Sequence, residues 1–295
     1  MVSTSRIPAP LLVLGAVVSV QFGGALAATL VPQIGAAGSV LLRLGFAMVL
    51  LLAFARPRWR GHSRRAWATV IAFGLAMGLM NFAFYGSLAH LPIGVAVTIE
   101  FVGPLTLAAV LSRRPRDLLA VGAAAVGVLL ISRALSVPFA ELEGTGIVLA
   151  LLAGLCWAGY IIFSGRTGAQ FPALEGLALA MVVATAAILP FGLWDIARHG
   201  TSAWDAEIIL TGFGVAILSS VLPYSLELLA LRRLSAKIFG ILLSLEPAVA
   251  ALAGLLVLGQ RLMPVQLAGM ALVVLASAMV LGMGARGTRD APADG

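Results

Sequence analysis

Apolar runs long enough to cross a lipid bilayer follow one another along almost the whole chain, and that repetition leaves few folds open. Ten such runs fall at roughly 10–29, 36–55, 67–88, 93–111, 117–133, 144–164, 173–194, 206–230, 238–258 and 264–284. A spanning helix needs about 17 to 25 residues. A backbone in hydrocarbon must satisfy its own N–H and C=O groups, so runs of this length fold as helices. Only 11% of residues are charged, against about 25% in a soluble domain. No stretch is left that could build a soluble domain. The expected fold is an all-α integral membrane protein with ten transmembrane helices. The first run is too long for a signal-peptide core, and Gln21-Phe22-Gly23-Gly24 is an unconvincing cleavage site, so it is read as retained.

A formal charge of +7 invites a nucleic-acid reading, but the placement of the charges argues against one. With the N-terminus inside, 15 of the 19 basic residues fall on the cytoplasmic side, in clusters such as Arg56 to Arg65, Arg113 to Arg116 and Arg232 to Lys237. The opposite face receives only Arg133, Arg198 and Arg261, and Arg43 lies within a span. This is the positive-inside asymmetry, and adding or dropping one helix would scramble it. Both termini are therefore expected in the cytoplasm. Acidic residues (Glu141, Glu143, Asp195, Asp205, Glu207) fall outside. Cys156 is the only cysteine, so no intramolecular disulfide is expected. Eighteen arginines to one lysine suggest a GC-rich bacterial genome, hence a bacterial inner membrane.

The chain divides near residue 140 into halves of five spans, 1–140 and 141–295. An offset of 143 residues superposes Pro104 on Pro247 and Leu91 on Leu234. Five is odd, so the second half enters the membrane with the opposite orientation. That is an inverted-topology repeat, as in many secondary transporters, whose sites lie between the repeats. Gly74, Gly78, Gly154 and Gly159 give the small-residue spacing of close helix contacts in lipid.

Within this apolar background a few residues stand out. Glu100 and Glu246 are carboxylates inside spans four and nine, each near a proline (Pro104, Pro247). Such groups are expensive in a membrane and face a partner or a cavity. Glu100 lies about seven residues from the outer end of its span, ~10 Å deep at 1.5 Å per residue. Glu246 lies at a similar depth from the inner face. Each is either a cavity group that binds an ammonium or a proton, or half of a structural ion pair. Arg43, at the depth of Glu100, is its natural partner; it could alternatively hold a substrate carboxylate. Span seven offers no equivalent arginine, which makes Glu246 the stronger candidate for proton coupling. Glu227, near the inner end of span eight, is expected to reach water, Arg232 or Lys237. Asn81, Tyr85 and Tyr224 need partners from a helix or a ligand. Trp157 and Gln21 are weaker cavity candidates. Pro104, Pro223 and Pro247 free backbone carbonyls, which is tolerated where they line a cavity. His62, His90 and His199 are read as loop residues, so no metal site, catalytic dyad or cofactor is expected. There is no phosphate-binding GxxxxGK[ST] loop for ATP.

Several segments resemble the drug/metabolite transporter superfamily, EamA type: MNFAFYGSLAHLPIG (80–94), VAVTIEFVGP (95–104), AGLCWAGYIIFSGR (153–166), VLPYSLELLALRRL (221–234) and SLEPAVAALAGLLVLGQ (244–260). The TIEFVGP, SRRP, LPYSLE and SLEP blocks are similar to the bacterial threonine/homoserine exporter branch. The resemblance implies ten helices in two five-helix EamA repeats and export of small amino acids, in exchange for protons and without ATP. It also implies a central cavity lined by spans three, four, eight and nine, with help from one and six. Span nine departs from the family in ending Gly259-Gln260 rather than Gly-Glu. Two other functions remain open: export of another metabolite or drug, which a broad aromatic cavity would favour, and a non-transporting scaffold or sensor, which would leave the carboxylates paired and inert.

Overall fold

The protein was analysed as a computed structural model that describes residues 7–138, 142–199, 205–258 and 262–287. Arg6, Glu141, Gly259, Gln260, Arg261 and Arg289, and with them the division near residue 140 and the end of span nine, lie outside the described residues.

Every described element is helical: α1 (Ala9–Ile34), α2 (Ala36–Ala55), α3 (Arg64–Ser87), α4 (Ile93–Val110), α5 (Pro115–Ser132), α6 (Gly144–Gln170), α7 (Glu175–His199), α8 (Ala206–Ala216), α9 (Leu222–Leu231), α10 (Ala236–Leu243), α11 (Glu246–Leu258) and α12 (Pro264–Gly287). Eight helices among the described residues are long and apolar enough to cross a membrane, with α8 and α9 forming one continuous span, Ala206–Leu231. The chain is a multi-pass helical membrane protein. Gly35 alone separates α1 from α2, and its φ of 77° explains the glycine there. His199 closes α7 rather than lying in a loop.

Two spans are not simple helices. Between α8 and α9 the helix widens into a π turn, Ile217–Val221, in which the Leu222 N–H reaches back to the Ile217 carbonyl. Pro223, which has no N–H and whose ring crowds the preceding turn, accounts for it. The Leu218 carbonyl then accepts the Ser19 hydroxyl of α1 at 2.6 Å. The second irregularity corrects the expected single span over 238–258. The helix breaks at Ser244 and Leu245, and α11 starts at Glu246. Ser244 and Leu245 turn their N–H groups back to Ile241 and Leu242 in a tighter turn, because Pro247 cannot continue the ladder. Glu246 thus occupies the first turn of a half-helix, where the helix dipole favours a negative group.

Packing joins the two halves. The broadest contacts are α3 with α6, α5 with α12 and α2 with α7, followed by α4 with α6, α3 with α7 and α1 with α9. Small residues let the backbones approach, as lipid-embedded helices require. A Cβ on Gly74 would strike the Ala180 carbonyl and Val183 of α7. One on Gly154 would lie 2.5 Å from the Glu100 carbonyl oxygen, and one on Gly103 would collide with the Gly154 backbone. Gly159 differs from the expectation: its nearest neighbour, Ala76, would be at an ordinary 3.7 Å.

Most basic residues gather at one end of the bundle. There His62 packs on Phe171, Arg232 donates to the Phe171 carbonyl at 2.8 Å and to that of Ala173, and Arg233 donates to the Ile7 carbonyl. Lys237 meets Asp117 at 2.8 Å at the same end. At the other end His90 meets Glu143 at 2.8 Å and Asp195 accepts the Ala37 N–H.

Candidate functional site: a polar cavity between the halves

All eight residues singled out from the sequence for binding or coupling line one cavity of about 260 Å³. Each wall has a local reason. α2 brings in Arg43, α3 brings Asn81 and Tyr85 one turn apart, and α4 brings Glu100. α6 contributes Trp157, α9 contributes Tyr224 and Glu227, and the break before α11 turns in Glu246. Gln21 of α1 lines it as well. The close crossing of α4 and α6 sets the Gly154 backbone against those of Glu100 and Gly103.

The polar side chains form two connected groups. Arg43 is buried, with 6% of its surface exposed. It donates to the Asn81 side-chain oxygen, and its guanidinium lies 5.5 Å from the centre of the Tyr85 ring. The Asn81 amide donates to the Met77 carbonyl at 2.8 Å and to the Tyr224 hydroxyl at 3.0 Å. Asn81 and Tyr224 are 143 residues apart, the same spacing as between Pro104 and Pro247. The second group joins Tyr160 to Glu227: the phenol donates to the carboxylate at 2.7 Å. The Tyr160 ring packs against Tyr224, centres 5.6 Å apart, and so links the two groups.

Two expected pairings are corrected. Arg43 turns to Asn81 rather than to Glu100; among the described residues no ion pair joins Arg43 to any cavity carboxylate. Glu227 does not snorkel: it is 5% exposed and held by Tyr160, while Arg232 is used by backbone carbonyls and Lys237 by Asp117. A position three residues from the end of the expected span 206–230 suggested access to water, but Tyr160 of α6 covers that side. Trp157, a weaker candidate from the sequence, lines the cavity edge-on to Phe101, centres 4.8 Å apart. Tyr160, Phe101 and Ser219 were not foreseen. The available signal for Tyr160 was its place three residues after Trp157, on the same helix face.

The cavity therefore sets one fixed cation, with a tyrosine and an amide beside it, against three carboxylates. Among the described residues no hydrogen bond or ion pair occupies Glu100 or Glu246. Among the described residues no three His, Cys, Asp or Glu side chains cluster in a way that could hold a metal ion. Such an unevenly charged cavity between packed membrane helices suits a membrane transporter.

Comparison with known proteins agrees. Residues 144–282 match the EamA-like transporter family. The threonine/homoserine exporter RhtA of Escherichia coli K12 is 39% identical over 268 residues, covering 90% of this chain and 88% of that protein. The same exporter of Salmonella typhimurium LT2 is 39% identical over 280 residues, covering 93% and 92%. A solved crystal structure at 17% identity shares the fold, with a TM-score of 0.75 over 94% of this chain and 98% of that one. The chain belongs to the EamA-like transporters, in the branch that holds the threonine/homoserine exporters.

Proposed function

We propose that this protein exports small amino acids of the threonine and homoserine kind from the cytoplasm, exchanging them for protons by alternating access. Ten crossings in two inverted five-helix repeats, 1–140 and 141–295, would place both termini in the cytoplasm of a bacterial inner membrane. The helix contacts support the repeat: exchanging α1–α5 for α6–α12 maps α2·α7 and α5·α12 onto themselves, and α3·α6 onto α1 with α8 and α9. The observation that carries the substrate reading is the charge set of the cavity. A zwitterion needs donors for its carboxylate and an acceptor for its ammonium. Arg43, steadied by Asn81, offers the first, and the unoccupied Glu100 or Glu246 the second. The net excess of two carboxylates asks for compensation by an ammonium or a proton, which is the physical basis of coupling. A volume of about 260 Å³ falls below the ~300 to 1,000 Å³ of pockets for drug-sized ligands.

A second reading, export of a larger or aromatic metabolite, is favoured by the rings of Phe84, Phe101 and Tyr160, which join Trp157, Tyr85 and Tyr224 in the wall. Efflux of preloaded labelled amino acids from cells expressing the protein separates the two. Faster loss of threonine or homoserine, abolished by collapsing the proton gradient, is the expected result. No change in cells whose membranes contain the protein would discard that cargo. Efflux of an aromatic amino acid alone would favour the second reading.

A further inference from the structure

A second cavity, of about 320 Å³, lies at the arginine-rich end of the bundle, away from the transport cavity. Its polar wall is Arg113 and Arg114 of the α4–α5 loop together with the Asp117–Lys237 pair; its apolar wall is Leu111, Ile238 and Val280. It is thus built from the α4–α5 loop, α5, α10 and α12, and so from both halves of the chain. The charges do not cancel. Asp117 is 4% exposed and engages Lys237, and among the described residues no carboxylate meets Arg113 or Arg114. Three cations against one anion leave the pocket at +2. On its apolar wall Leu111 is 45% exposed, and Leu118 and Leu119, which follow Asp117 in α5, are 51% and 67% exposed.

We infer that this pocket binds the phosphate of an anionic phospholipid, with Arg113 and Arg114 on the headgroup and an acyl chain along Leu111 and the outer face of α5. Basic pockets between spans on the cytoplasmic side suit acidic headgroups, and two neighbouring guanidinium forks suit phosphate oxygens. A free phosphate would use the same cations but would leave the apolar wall bare, which is why the lipid is the better occupant. Bound there, the lipid bridges α4 and α5 to α10 and braces the end of the bundle that Asp117 and Lys237 already join. The inference does not depend on what the protein carries.

Purified full-length protein in a mild detergent tests it by lipid retention in native mass spectrometry and by thermal stability with added lipid. Phosphatidylglycerol is expected to be retained and to raise the midpoint; phosphatidylcholine and inorganic phosphate are not. The double variant Arg113→Gln, Arg114→Gln is expected to bind phosphatidylglycerol roughly 25-fold more weakly, taking about fivefold for each basic residue. Its midpoint in phosphatidylcholine should match the unsubstituted protein. The control Arg58→Gln, Arg60→Gln removes the same charge from the exposed α2–α3 loop at the same end and is expected to keep full binding. Equal weakening in the control would overturn the pocket in favour of general surface charge. Unchanged binding in the Arg113, Arg114 variant, or equal stabilisation by phosphatidylcholine, would overturn it outright. Stabilisation by inorganic phosphate alone would replace the lipid with a soluble anion.

Discussion

At the scale of single residues, the site depends on which buried polar group holds which. Tyr160 gives its only hydroxyl to Glu227, and removing one buried hydrogen bond costs about 1 kcal/mol. Tyr160→Phe should therefore lower the unfolding midpoint in detergent by that equivalent while leaving the protein in the membrane. Asn81→Ala releases Arg43 and leaves the Tyr224 hydroxyl without its partner, so we expect weaker binding of a zwitterion with little change for an uncharged analogue; a binding isotherm for each checks it. Glu246→Gln should keep folding and lose pH-dependent transport, and an unaltered pH profile would remove Glu246 from any coupling role. The sequence singled out residues that the fold gathers around one cavity, because a carboxylate or arginine inside hydrocarbon is conspicuous. It misassigned their partners. Arg43 and Glu100 share a depth, but depth leaves open which way a side chain turns around a helix axis, and Asn81 lay nearer the guanidinium.

At the scale of elements, prolines and glycines set the shapes. Pro223 and Pro247 act in different ways: one widens a helix by a residue, the other breaks it and exposes a half-helix N-terminus to the cavity. Both prolines were evident in the chain, yet the choice between a π turn and a break was not, since it depends on whether a neighbour such as Ser19 takes up the Leu218 carbonyl. The glycines divide in the same manner. Gly154→Val should separate α4 from α6 and destabilise the fold by about 1–3 kcal/mol, the usual cost of overpacking. Gly159→Ala, with room for a methyl, should stay within about 0.5 kcal/mol. Thermal midpoints of the two variants side by side test the distinction, and equal losses would contradict the close α4–α6 crossing.

At the scale of the whole molecule, the two halves are fastened at the basic end by Asp117 and Lys237. Lys237→Met strands a buried carboxylate, and we expect a loss of about 1–3 kcal/mol, less than for a fully buried pair because the Lys237 side chain keeps 24% of its exposure. Adding Asp117→Asn to that variant should recover part of the loss. A double-mutant cycle on the unfolding midpoint measures the coupling, and simple additivity would show that the pair contributes no fastening.

The sequence by itself determined the class of the protein: hydrocarbon demands helices, loop arginines mark one face, and any charge left inside a span must serve a purpose. Those are one-dimensional facts, legible because each depends on a residue and its depth alone. The tertiary structure decided what depth cannot. It gathered Arg43, Asn81, Glu100, Trp157, Tyr224, Glu227 and Glu246 from six elements into one cavity and brought Lys237 across 120 residues to Asp117. It also placed Tyr160 rather than water against Glu227. The reason is rotational: a helix presents a residue to lipid, to a neighbour or to a cavity according to how the bundle packs, and packing belongs to all the helices at once.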